Sequence, residues 1–124
     1  MRLVIRLPGR VPPCPRPRVA RRGTHMPRRY RVWRDGAALV VRAACRDAGA
    51  VAPLRIARVS VALFQRRRQH ADVDNQVKSV LDALVVGGAL EDDRYVDELC
   101  ASRYAAEEDY AVVTVRGRRD PWAR

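Results

Sequence analysis

The 124-residue sequence has no apolar run approaching the roughly 20 residues that a membrane helix requires. Its opening, Met1-Arg2-Leu3-Val4-Ile5-Arg6-Leu7, is interrupted by Arg6 and no cleavage site follows, so neither secretion nor membrane insertion is indicated. Cysteine is scarce: Cys14, Cys45 and Cys100 are odd in number and have no ligand-type spacing. That pattern argues for reduced thiols in a cytoplasmic protein and against a structural zinc site. Lysine is nearly missing, since Lys78 is the one lysine among 25 basic residues. Acids are almost absent from the first half: residues 1–68 hold 18 Arg and two acids, whereas residues 69–124 hold seven Lys plus Arg and 12 acids. These balances, +16 and −5, add to the net +11. The basic half is expected to meet a polyanion, although a codon-usage bias toward arginine would produce part of the same excess.

The length suits one domain, 1–124. Arg2 to Leu7 alternates as a strand with Leu3, Ile5 and Leu7 on one face, and Pro8-Gly9 stops it. Residues 8–27 are rich in Pro and Arg and too long for an ordinary connection. The expectation there is an extended arm that tracks phosphates and orders on binding nucleic acid. Apolar spacing predicts a helix over 28–48, closed by Gly49. Leu54 to Phe64 alternates as an interior strand with apolar residues on both faces. A basic loop, Gln65 to His70, leads to a second helix over 75–86, punctuated by Gly87-Gly88. Tyr95 to Tyr104 and Tyr110 to Val115 read as a hairpin about a polar turn at 107–109, and a basic tail, 116–124, follows. The fold expected is therefore α+β, a mixed sheet of about four strands with two main helices packed mainly on one face.

The chain is organised around Asp72-Val73-Asp74-Asn75-Gln76-Val77-Lys78 and the later pair Asp92-Asp93. Two acids two residues apart share one side of an extended segment, and Asp74 stands where the helix should begin, as an N-cap. Lys78, four residues on, returns its ammonium toward them. Mg²⁺ takes oxygen ligands and keeps several waters, so Asp72, Asp74 and one of Asp92-Asp93 would suffice beside a substrate phosphate. Such a metal would activate water for in-line hydrolysis, with Lys78 stabilising charge on the phosphoryl oxygens. Read singly, these residues are a cap, a solvated turn and a surface lysine. Jointly, two acid clusters separated by one helix can converge at one end of the sheet, where a cation would offset their repulsion. Asp82, one turn beyond Lys78, could pair with it, and Tyr30 and Trp33 have the spacing of core residues.

From Arg66 to Val96 the chain resembles the RusA family of Holliday junction resolvases: a basic loop, Asp72-x-Asp74-Asn75-x-x-Lys78, Asp82-Ala83-Leu84, then Gly88-x-Leu90-x-Asp92-Asp93-x-x-Val96. A weaker likeness covers the strand ending in Pro8, the basic loop after it and Arg22-Gly23-Thr24-His25. The resemblance implies a homodimeric endodeoxyribonuclease that uses Mg²⁺, with Mn²⁺ as a substitute, and cuts four-way junction or branched DNA. It implies catalytic carboxylates at Asp72, Asp74 and Asp93 with Lys78 beside the scissile phosphate, in a nucleoid-associated, phage-derived setting. Arg66, Arg67 and Arg68, with Arg16, Arg18, Arg21 and Arg22 of the arm, are expected to grip phosphates. The arm departs from the family's Asn- and Tyr-bearing pattern, and the tail is unusually rich in arginine. The rival readings are a basic DNA-binding protein without catalysis and a nuclease of broader range acting on flaps.

Overall fold

The computed structural model describes residues 2–16, 18–20, 23–50, 53–55, 57–68, 70–118 and 122, and only the backbone of residues 18–20 and 24. The first strand, β1 (Arg2–Pro8), buries Leu3, Ile5 and Leu7 and exposes the residues between, as its alternation requires. Two short strands, β2 (Arg18–Ala20) and β3 (Gly23–His25), pair antiparallel inside the Pro/Arg stretch. Then come helix α1 (Arg28–Asp47), strand β4 (Ala57–Gln65) and helix α2 (Val73–Val86). A single 3₁₀ turn, Asp93–Tyr95, opens β5 (Val96–Ala105), and β6 (Tyr110–Gly117) ends the fold two residues into the expected basic tail. Before β4, Leu54 makes only an isolated bridge to Leu90, so that strand starts later than its alternation suggests, and Ile56 lies outside the described residues.

The architecture is α+β: a mixed four-stranded sheet in the order β1-β6-β4-β5, with both helices against one face. Val59, Val61 and Leu63 of β4 and Ala111, Val113 and Val115 of β6 meet Val41 of α1 and Val80 and Leu84 of α2 in the core. α1 runs unbroken through Gly36, because the buried stripe of Tyr30, Ala37, Ala38, Val41 and Cys45 outweighs one glycine's cost. The helices touch at Gly87, where an added Cβ would lie 2.6 Å from Val41 Cβ and 2.8 Å from the Ala38 carbonyl oxygen. No helix of the described residues is long and apolar enough to cross a membrane.

The expected hairpin of β5 and β6 does not form. β4 lies between them, parallel to β5 and antiparallel to β6, so the 106–109 connection steps over the end of β4. Ala106 N donates to the Gln65 carbonyl (2.9 Å) and Arg66 N to Asp109 Oδ1 (2.8 Å), tying that connection to the strand it crosses. Alternation in β5 and β6 marked them as strands, but both patterns fit an intervening partner equally well. β4 is the most apolar strand and takes the central place.

Candidate active site and nucleic-acid interface

β4 delivers the chain to one end of the sheet, and Arg66, Arg67 and Arg68 stand exposed there. With Gln65, Arg103 and Tyr104 they line a groove of about 390 Å³. Arg103 Nη1 donates to the carbonyl of Ala71 (2.8 Å), the residue immediately before the acidic motif. The groove and the motif are thus contiguous.

Helix α2 begins earlier than its apolar spacing suggests. Asp72, extended at φ −67° and ψ 149°, is the N-cap residue, and Asp74 sits in the first turn rather than at the cap. The Asp72 carboxylate makes no capping hydrogen bond, and no other partner holds its oxygens among the described residues. Asp74 Oδ1 accepts from Asn75 N at 2.9 Å, leaving its second oxygen uncommitted. Asp72, Asp74 and Lys78 are all exposed, and Lys78 has neither ion pair nor hydrogen bond among the described residues. The helix N-terminus adds a partial positive charge that favours carboxylates and phosphates alike. Two open carboxylates beside a lysine fit Mg²⁺, which binds through one or two protein carboxylates, substrate phosphate and water.

The second acid pair is elsewhere. Because β4 and β5 are parallel, α2 must carry the chain back to the end of the sheet where β4 began. Its 14 residues span about 21 Å, so Asp92 and Asp93 lie at the opposite end from Asp72 and Asp74, against the expected convergence. No group of three or more His, Cys, Asp or Glu side chains that could hold a metal exists among the described residues of this one chain. Asp92 Oδ1 accepts from Arg94 N at 3.0 Å and caps the 3₁₀ turn. That bond and one from the Asp93 carboxyl hold Asp92 below the usual carboxylate range. Its neighbour is shifted the other way: the Asp92 hydrogen bond first, then partial burial, push Asp93 up.

Asp82 does not pair with Lys78. It accepts from the Tyr30 hydroxyl at 2.7 Å, and Tyr30 is buried between the helices as its spacing predicts. Burial first, then the Asp82 hydrogen bond, drive the Tyr30 hydroxyl well above its ordinary pKa.

The sequence reading missed what holds α2 in place. Gln76, fully buried, donates from Nε2 to Gln65 Oε1 (2.7 Å) and to the Val11 carbonyl (3.0 Å). Ser79 Oγ donates to the Pro12 carbonyl (2.7 Å), and Cys14 N to the Asn75 carbonyl (3.0 Å). Arg10 reaches the Arg67 carbonyl from the same side. The first part of the arm is therefore packed on the first turns of α2. One signal was available: Gln76 and Ser79 interrupt the apolar stripe at positions that repeat with Val80 and Ala83. Of the arm's expected phosphate contacts, Arg16 is exposed, the Arg18 side chain lies outside the described residues, and so do Arg21 and Arg22.

The chain matches a family model described as endodeoxyribonuclease RusA over residues 8–116. No curated protein matches the chain.

Proposed function

The chain belongs to the RusA endodeoxyribonuclease family, and from that premise we propose that it is a structure-selective, Mg²⁺-dependent nuclease that resolves Holliday junctions by paired symmetric nicks in recombination and repair. The observation that carries the reading is the grouping of two exposed carboxylates, Asp72 and Asp74, with the exposed Lys78 on the first turns of α2, next to an arginine-lined groove.

In this reading Asp72 and Asp74 hold the metal, which when bound supplies charge neutralisation at the phosphate and a water of lowered pKa. Lys78 places its ammonium against the scissile phosphate and offsets charge as it grows on the phosphoryl oxygens. Arg66, Arg67, Arg68 and Arg103 hold the flanking phosphates, and Arg16 and the rest of the arm's arginines extend that track. Mn²⁺ has the same ligand preference and would substitute.

Asp93 enters only if two copies combine. A two-fold axis that sets the α2 helices antiparallel would bring Asp93 of a second copy to the Asp72–Asp74 end of the first, and the reverse. A homodimer would then have two complete acid trios, matching the two opposed strands that a four-way junction presents.

The test is cleavage of a labelled synthetic four-way junction, a flap and a linear duplex by wild type and Asp74→Asn, with Mg²⁺ and with EDTA. Symmetric Mg²⁺-dependent nicks on the junction, lost in Asp74→Asn while binding persists, are expected. Equal cutting of flap and duplex would leave a broader nuclease. Tight binding with no cut under any metal would leave a DNA-binding protein.

A further inference from the structure

Three aromatic rings stand side by side across the open face of the sheet. Phe64 of β4 lies opposite Tyr110 of β6 and Tyr104 of β5. Its ring centroid is 4.6 Å from that of Tyr110, at 11°, and 5.2 Å from that of Tyr104, at 23°. The ladder is closed at one end, where the Arg6 guanidinium lies 4.1 Å over the Tyr110 ring. At the other end it is open. Tyr104 is 50% exposed, β5 is the outer strand of the sheet, and no second ring or cation covers Tyr104 among the described residues.

That open end faces no ordinary surface. Tyr104 lines the same groove as Arg66, Arg67, Arg68 and Arg103, and Arg103 bonds the residue before Asp72. A flat ring already stacked on its inner side, lining one groove with Arg66, Arg67 and Arg68, matches the two halves of a nucleotide: a π-face for the base and cations for the phosphate. Backbone contacts alone would need the arginines but not the ring.

We propose that Tyr104 is a base-stacking site, taking one nucleobase freed from its duplex stack at the branch point while the arginine groove holds its phosphate. The proposal rests on the branched-DNA reading above and gives it a device for telling a branch from a duplex, since a paired base in a linear duplex has no free face to offer. Phe64, Tyr110 and Arg6 are positioning residues that stiffen the platform.

The experiment measures binding of the full chain in EDTA, which prevents cleavage, to a four-way junction, a linear duplex of equal length and an oligothymidine strand. Each probe is also made with abasic residues, at the branch in the junction and throughout the strand. Tyr104→Ala should weaken junction and oligothymidine binding about tenfold and leave the duplex unchanged. Tyr104→Phe and Tyr104→Trp should bind as wild type does, which separates loss of the ring from loss of the fold. Abasic probes should cost the wild type the same factor and cost Tyr104→Ala nothing further. An equal loss on all three probes, or variant and abasic losses that simply add, would overturn the proposal. The two readings fail separately: a wild type indifferent to the branch, yet base-dependent on oligothymidine through Tyr104, keeps the stacking site and sinks the junction reading. Junction preference that is undiminished in Tyr104→Ala does the reverse.

Discussion

Gln76 Nε2 lies 2.7 Å from Gln65 Oε1, both side chains buried, so the first turn of α2 is fastened to the last residue of β4. The same amide holds the Val11 carbonyl at 3.0 Å, and Arg103 Nη1 approaches Gln76 Oε1 at 3.5 Å. One polar side chain in the apolar layer thereby sets the helix that carries Asp72, Asp74 and Lys78 against both the arm and the groove. A buried amide that keeps its partners costs little, and one that loses them costs its full desolvation.

Gln76→Ala is therefore expected to destabilise the fold by about 1–3 kcal/mol, because buried Gln65 Oε1 and the Val11 carbonyl both lose the amide that donates to them. Chemical denaturation measures it. Replacing the pair together, Gln65→Leu with Gln76→Leu, should recover the part of that loss due to Gln65 Oε1, since that acceptor is no longer orphaned, while the Val11 carbonyl still lacks the Gln76 amide. A double variant no more stable than Gln76→Ala would show that the hydrogen bond is not what holds the helix.

Gly87→Ala should be costly for a different reason. The new methyl would sit 2.6 Å from Val41 Cβ and against the Ala38 backbone, which no rotamer change relieves. Forcing α1 and α2 apart is expected to cost about 1–3 kcal/mol. Thermal unfolding compared with Gly36→Ala provides the control, since a methyl at Gly36 meets nothing within 4 Å and should stabilise α1.

The parts of the candidate site that could be read in sequence are those set by local spacing. Asp72, Asp74, Asn75 and Lys78 fall within two helical turns, so their register follows from residue count alone, and the two helices followed from their apolar stripes. Long-range pairing was not legible. Nothing in Val96–Ala105 or Tyr110–Gly117 says that β4 separates them, and the hairpin reading failed there. The same ignorance of topology brought Asp93 to the wrong end: a helix between two acid clusters does not reveal whether the chain returns to its starting side until the strands are known to be parallel. The arm's docking rests on contacts more than sixty residues apart, such as Val11 with Gln76, which no composition rule anticipates.

The arginines of the 66–68 loop should act additively and through charge. Each Arg→Gln substitution at Arg66, Arg67 or Arg68 is expected to lower the slope of log affinity against log salt by about one, with similar weakening for different sequences. Titration from low to moderate salt gives the slope. A substitution that changed sequence preference but not the slope would mean that the arginine reads a base edge.

The separation of Asp74 from Asp93 along α2 gives a test of how the acid trio is assembled. Suppose Asp74→Asn and Asp93→Asn proteins, each inactive alone, are denatured, mixed in equal amounts and refolded. If each site takes its Asp72–Asp74 pair from one copy and Asp93 from the other, a mixed dimer has both lesions in one site and a second site intact. Random pairing makes half of the dimers mixed, so about a quarter of the wild-type sites return. The recovered activity should consist of single nicks, because the paired cut needs both sites of one dimer. If instead each chain completes its own trio, both sites of a mixed dimer carry a lesion and the mixture stays inactive. Gel analysis that distinguishes nicked from fully resolved junctions separates these outcomes, and paired resolution from the mixture would contradict both arrangements.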